Sequence, residues 1–140
     1  MTHSWSELQT AEIEIPGFDR RIDQAAMVAY AGATWDWHRL HYDSELATQL
    51  GFSAPVVDGQ VFGALMAECV QDWMGPAAAL KTLSFRFKTP VMAGSTVRCT
   101  GHTVPSEGDE VRCSLTVSVL DESGSVQAIA ASGEASVIQR

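Results

Sequence analysis

A chain of 140 residues has room for one domain, residues 1–140, able to bury about two-thirds of the surface that its unfolded form exposes. With 46% hydrophobic and 19% charged residues the composition is globular and not disordered. A net charge of −8, with only nine Lys and Arg and no basic cluster, excludes nucleic acid as the expected partner, because phosphate binding needs concentrated positive charge.

Met1 to Gln9 lacks the basic region and apolar core of a signal peptide, and no apolar run approaches the roughly 20 residues of a membrane helix. The expected location is therefore the cytoplasm, with no membrane partner. Cys69, Cys99 and Cys113 form no CxxC pair and read as reduced, buried thiols.

In chain order, Glu12 to Ile15 predicts a short opening strand closed by Pro16-Gly17. From Asp23 a run of helix formers through Tyr30 predicts a short helix stopped at Gly32, and Ser44 to Leu50 predicts another stopped by Gly51. Gly59 opens the most legible element. Phe62, Leu65, Met66, Cys69, Val70 and Trp73 recur at helical spacing as one apolar stripe, while Gly63, Ala64 and Ala67 keep the adjacent flank small. Such a helix suits burial against a concave sheet, and Gly75-Pro76 ends it.

The remainder reads as strand. Lys81 to Lys88 and Val97 to Val104 are candidates, and Val111 to Leu120 alternates between an apolar and a polar face. Asp121 to Gly124 predicts a hairpin loop, and Val126 to Ile138 a last strand bent near Gly133. The expected class is α+β, an antiparallel sheet wrapped around the long helix.

Asp36 and His41 lie in the stretch Tyr30-Ala-Gly-Ala-Thr-Trp-Asp-Trp-His-Arg-Leu-His-Tyr-Asp43, upstream of the helix that Gly59 begins. A carboxylate and an imidazole can hold and deprotonate a water, and an N–H at a helix start is favourably aimed at negative charge growing on a carbonyl oxygen. Those are the parts needed to add or remove water beside a thioester.

Asp36-Trp-His-Arg-Leu-His41 resembles the D-x-N-P-x-H signature of MaoC-like dehydratases, the (R)-specific enoyl-thioester hydratases, which have the hotdog fold. Gly51-Phe-Ser-Ala-Pro-Val-Val-Asp-Gly59 resembles that family's G-x-x-x-P-[IV]-[VA]-H-G stretch, and Leu83 to Gly94 is similar to the strand and turn that follow. The resemblance implies a hydratase or dehydratase of acyl thioesters, with Asp36 and His41 catalytic and Gly59 polarising the carbonyl. Trp37 and His38, beside the aspartate, are candidate substrate contacts. It implies no metal and no cofactor, since the substrate arrives as a coenzyme A or acyl carrier protein thioester. It also implies a homodimer or pairing with another hotdog subunit.

This chain departs from the pattern at three places. His38 and Arg39 stand where the family has Asn and Pro, Asp58 replaces a common histidine, and Ala67 falls where some members have serine. Other readings stay open: a turn-capping Asp36 with a packed His41, or a metal site from Asp36, His38, His41 and Asp43. A non-catalytic subunit of a hotdog heteromer and a hotdog thioesterase are the competing functions. Trp35 and Trp37 can line an acyl pocket or shield the loop, and Arg86 and Lys88 can meet carrier phosphates or only solvent.

Overall fold

A sequence that alternates apolar and polar residues through its second half must bury one sheet face, and the central helix supplies the surface that covers it. In the computed structural model, which describes residues 2–140, the elements run α1 (Trp5–Thr10), β1 (Glu14–Ile22), α2 (Gln24–Thr34), α3 (Ser44–Gln49), α4 (Gln60–Met74), β2 (Ala78–Phe87), β3 (Ser95–Val104), β4 (Glu110–Leu120) and β5 (Val126–Gln139). The strands form one antiparallel sheet in the order β1-β3-β4-β5-β2, so β1 and β2 are its edges. No described helix is long and apolar enough to cross a membrane.

Helix α4 lies on the inner face of the sheet as its stripe predicts. Phe62, Leu65, Met66, Cys69 and Val70 are buried with Val97, Val111, Leu115, Val117 and Val137, each such side chain contributing roughly 1.5–3 kcal/mol. The small flank also has a partner: a Cβ at Gly63 would collide with the Phe85 ring of β2. All three cysteines are free and buried.

Several expectations need correction. The opening strand does not end at Pro16-Gly17 but runs to Ile22, because the pair is absorbed in a bulge where the β1–β3 register shifts between Ile15 and Phe18. Gly17 is needed there, since an added Cβ would lie 2.7 Å from the Cys99 carbonyl oxygen. In the last strand the β4–β5 register is unbroken through Gly133 and shifts instead at Ala130 and again at Gln127. Gly133 instead allows close approach, as its Cβ would fall 2.5 Å from the Ser84 carbonyl oxygen. Helix α1 was not foreseen. Its Ser4/Glu7 capping box holds a short amphipathic turn that buries Leu8 completely.

Candidate active site

The residues before the long helix are held by hydrogen bonds in two directions. Val56 N–H donates to the Leu40 carbonyl at 3.0 Å on one side, while Val57 N–H donates to Val91 O at 2.7 Å and Ala93 N–H to Pro55 O at 2.8 Å on the other. This stitch ties the His41 loop to the start of α4 and to the segment after β2.

Helix α2 delivers the aspartate. It runs past Gly32, the expected stop, and ends at Thr34, with Trp35 in the left-handed region (φ 59°) as its C-cap. A non-glycine residue there is strained by about 1 kcal/mol, and Asp36, half-buried, follows the turn it makes. Asp36 N–H then donates to Ala31 O, and its carboxylate accepts from His38 N–H at 3.3 Å. Trp35 itself is 80% exposed.

His41 closes a single 3₁₀ turn, Arg39–His41, and its Nδ1 lies 2.7 Å from the Val56 carbonyl oxygen. A carbonyl can only accept, so Nδ1 carries a proton and Nε2 is the nitrogen whose lone pair is available in the neutral ring. Arg39 pairs with Asp43 at 2.5 Å, and Asp43 caps α3 by accepting from Leu46 N–H, which fixes the far side of the loop. The Leu46 N–H and then Arg39 hold the Asp43 carboxyl below its ordinary range.

Gly59 is the N-cap of α4 and, among the described residues, its N–H has no acceptor. Together with His41 it lines a cleft of about 280 Å³ whose remaining walls are mostly apolar: Val56, Val57, Phe62, Phe87 and Val91, with Lys88 at the rim. Glycine also leaves room for the Phe87 ring, which would have to move to admit a Cβ here.

Asp58 is the unforeseen member of the site. It is 8% exposed and accepts from Gln60 N–H at 2.9 Å, and one ligating atom each from Asp36, His41 and Asp58 lie within 4.8 Å of one another. These three are also the residues able to hold a cation, replacing the grouping with His38 and Asp43 suggested by sequence proximity. Tyr30, on α2, is the second addition. Burial first, then the charges of Asp58 and Asp36, raise its phenol above the ordinary value, so it remains an O–H donor beside two carboxylates.

Of the residues expected from the sequence, His41 and Gly59 line the cleft, while Asp36, Trp37 and His38 do not, and neither does Asp58. His38 Nδ1 accepts from Leu40 N–H, capping the 3₁₀ turn, and its ring stands 5.7 Å from that of His41. Trp37 packs edge-on against Trp35 and Tyr42, and the Tyr42 hydroxyl donates to the Trp37 carbonyl. Arg86 lies on the exposed face of β2, away from the cleft that Lys88 rims. Only the position of Asp58 next to Gly59 could have drawn attention to it, and nothing local marks Tyr30.

An antiparallel five-stranded sheet wrapped around one long helix is the hotdog fold. The MaoC-like domain family matches residues 9–123, and this chain belongs to it. The (R)-specific enoyl-CoA hydratase of Aeromonas caviae is 28% identical over 119 residues, covering 84% of this chain and 87% of that protein. The 3-oxo-4,17-pregnadiene-20-carboxyl-CoA hydratase beta subunit of Mycobacterium tuberculosis is 32% identical over 79 residues, 56% of this chain and 61% of its own length. In fold, the ChsH1-ChsH2 complex from Mycobacterium tuberculosis superposes with a TM-score of 0.81 at 21% identity over 100% of both chains.

Proposed function

We propose that this chain adds water to trans-2-enoyl thioesters, giving (R)-3-hydroxyacyl thioesters, and catalyses the reverse dehydration. The observation that carries the reading is the convergence on one apolar cleft: His41 and Gly59 line it, and Asp36 stands within 4.8 Å of the His41 ring nitrogen. Attack of water at Cβ moves the double-bond electrons toward the thioester oxygen, where the Gly59 N–H meets the growing charge. His41 Nε2, its lone pair freed by the Nδ1–H bond to Val56, takes a proton from the water. Cα then receives a proton from a carboxyl group of the site.

The cleft is at the small end for ligand pockets, which suits the reacting end of an acyl chain. Its apolar walls favour that chain, and Lys88 offers the one cation at the rim for the phosphate that coenzyme A and acyl carrier protein both carry. No resident metal or cofactor enters the proposed chemistry. Three free thiols, of the kind that stay reduced in the cytoplasm, support that compartment for the reaction.

We further propose that the working unit is a homodimer. β1 and β2 leave open edges, and Phe87 at the end of β2 is 58% exposed beside the cleft, a surface that a second hotdog subunit would cover. Pairing with a different hotdog chain is the competing arrangement, favoured by the relative that is a beta subunit. Light scattering on the purified chain decides between a mass near twice 15.1 kDa and a lone subunit.

The test of activity is loss of enoyl absorbance when the purified protein meets enoyl-CoA substrates of increasing bulk, starting from crotonyl-CoA. Wild type should consume at least one of them and His41→Ala should not. Release of free thiol without hydration would show a thioesterase instead, and unchanged hydration by an Asp36→Asn variant in a purified complex with another hotdog chain would move the chemistry to that subunit.

A further inference from the structure

Asp58 is the least expected residue of the site: it does not line the cleft, but its carboxylate stands within 4.8 Å of ligating atoms of His41 and Asp36. Asp58 is 8% exposed as a residue and its carboxylate stands close to a second one, an arrangement that a group bound between them by both would favour. Its hydrogen bond to Gln60 N–H uses one oxygen acceptor, and no other protein donor is bonded to it among the described residues. A serine or asparagine could accept the Gln60 N–H bond without the charge.

The spacing fits a water. Two groups that each bond one tetrahedral water at about 2.8 Å stand about 4.6 Å apart, and the three ligating atoms of Asp36, His41 and Asp58 lie within 4.8 Å of one another. Water offers two protons and two lone pairs. With His41 Nε2 and two carboxylates all accepting, one contact would go unmade; if the two carboxyls share one proton, that proton bonds a lone pair of the water and all three contacts form. The remaining lone pair is then left for Cβ alone.

We propose that Asp58 is a third catalytic group, sharing with Asp36 the proton that is passed to Cα while the two acids and His41 fix the attacking water by three contacts. This rests on the hydration reading above. The step balances: the water oxygen bonds Cβ and loses one proton to His41 Nε2, the carbon–carbon double bond becomes single, and Cα gains the proton that the carboxyl pair held. The His41 proton returns to the pair through the same contacts, restoring the starting state. A water held at three points presents one lone pair to one face of the alkene, which gives the site a source of stereochemical control.

Asp58→Asn tests it, because the amide oxygen still accepts from Gln60 N–H while the shared proton is lost. With crotonyl-CoA, kcat should fall about tenfold to a hundredfold and KM stay within about threefold, at an unchanged melting temperature. Should the asparagine variant not fold, Asp58→Ser keeps a cap oxygen and should show the same loss. A kcat within about threefold of wild type in either folded variant, with Asp36→Asn inactive, overturns the role of Asp58 and leaves hydration standing. Wild-type activity abolished by a chelator and restored by a divalent cation also overturns it, since the three groups would then hold a metal. A wild type inert toward every enoyl-CoA removes the hydration reading and this inference together.

Discussion

Gly59 and Phe87 are packed so closely that a methyl group on the glycine would lie 2.5 Å from Cε1 of the phenylalanine ring. The same contact places an aromatic wall against the glycine that opens the helix and lines the cleft, so the close packing and the proposed chemistry fall on a single residue.

Gly59→Ala should therefore act mainly on the cleft. Phe87 is largely exposed and its ring can swing away, which keeps the stability cost near about 1 kcal/mol, the low end for overpacking. The displaced ring then occupies substrate space, and kcat/KM for crotonyl-CoA should drop about tenfold or more, in line with disturbed oxyanion contacts. Adding Phe87→Ala should restore the melting temperature of the Gly59→Ala protein; thermal scans of the single and double variants check the pairing.

His41 has a structural bond that can be separated from its proposed chemistry. Asparagine can still donate a side-chain N–H toward Val56 O but has no lone-pair nitrogen, so His41→Asn should fold and lose about 10²- to 10⁴-fold in kcat. A variant retaining more than about a tenth of wild-type kcat would remove His41 as the base.

Stability should decline in acid. Arg98 holds the Asp19 carboxyl below its ordinary 3.8, and the Ser123 hydroxyl with the Ser125 N–H does the same for Asp121. Because the unfolded chain takes up these protons at the higher, ordinary value, it binds more protons through this range. The stabilisation is full above pH 3.8 and is lost as pH falls through the lower folded values. Both groups are exposed, so each effect is small. Melting temperatures measured from pH 7 to pH 2.5 should be level at first and then fall, with a shallower fall in Asp19→Asn.

The thiols should be silent in the native protein. Burial pushes Cys113 up to about 12, and Cys99 is pushed upward by its contact with the Cys69 thiol and by burial. A colorimetric thiol reagent at pH 8 should label none of the three within minutes, and all three after denaturation. Rapid labelling of any one in the folded state would contradict the packing of the α4–sheet core.

Legibility followed the physics of each element. The alternation of β4 and the stripe of α4 repeat over many residues, and burial of one face requires that repetition, so both were readable. Pro16-Gly17 looked like a turn because its local chemistry is that of a turn. Pairing with β3 overrode it, since a bulge lets the chain carry both residues and continue as strand. Gly32 likewise has the chemistry of a helix stop, but the helix is ended by the strained Trp35 three residues later.

The sequence by itself determined the α4 helix, the antiparallel strands and the placing of Asp36, His41 and Gly59 in recognisable motifs, because each depends on neighbours a few residues apart. Only the tertiary structure decided that Asp58 and Tyr30 join them, and that Trp37 and His38 stay outside the cleft. Those memberships depend on how α2, the 3₁₀ turn and the start of α4 are stitched through Val56, a long-range arrangement of hydrogen bonds that no local spacing encodes.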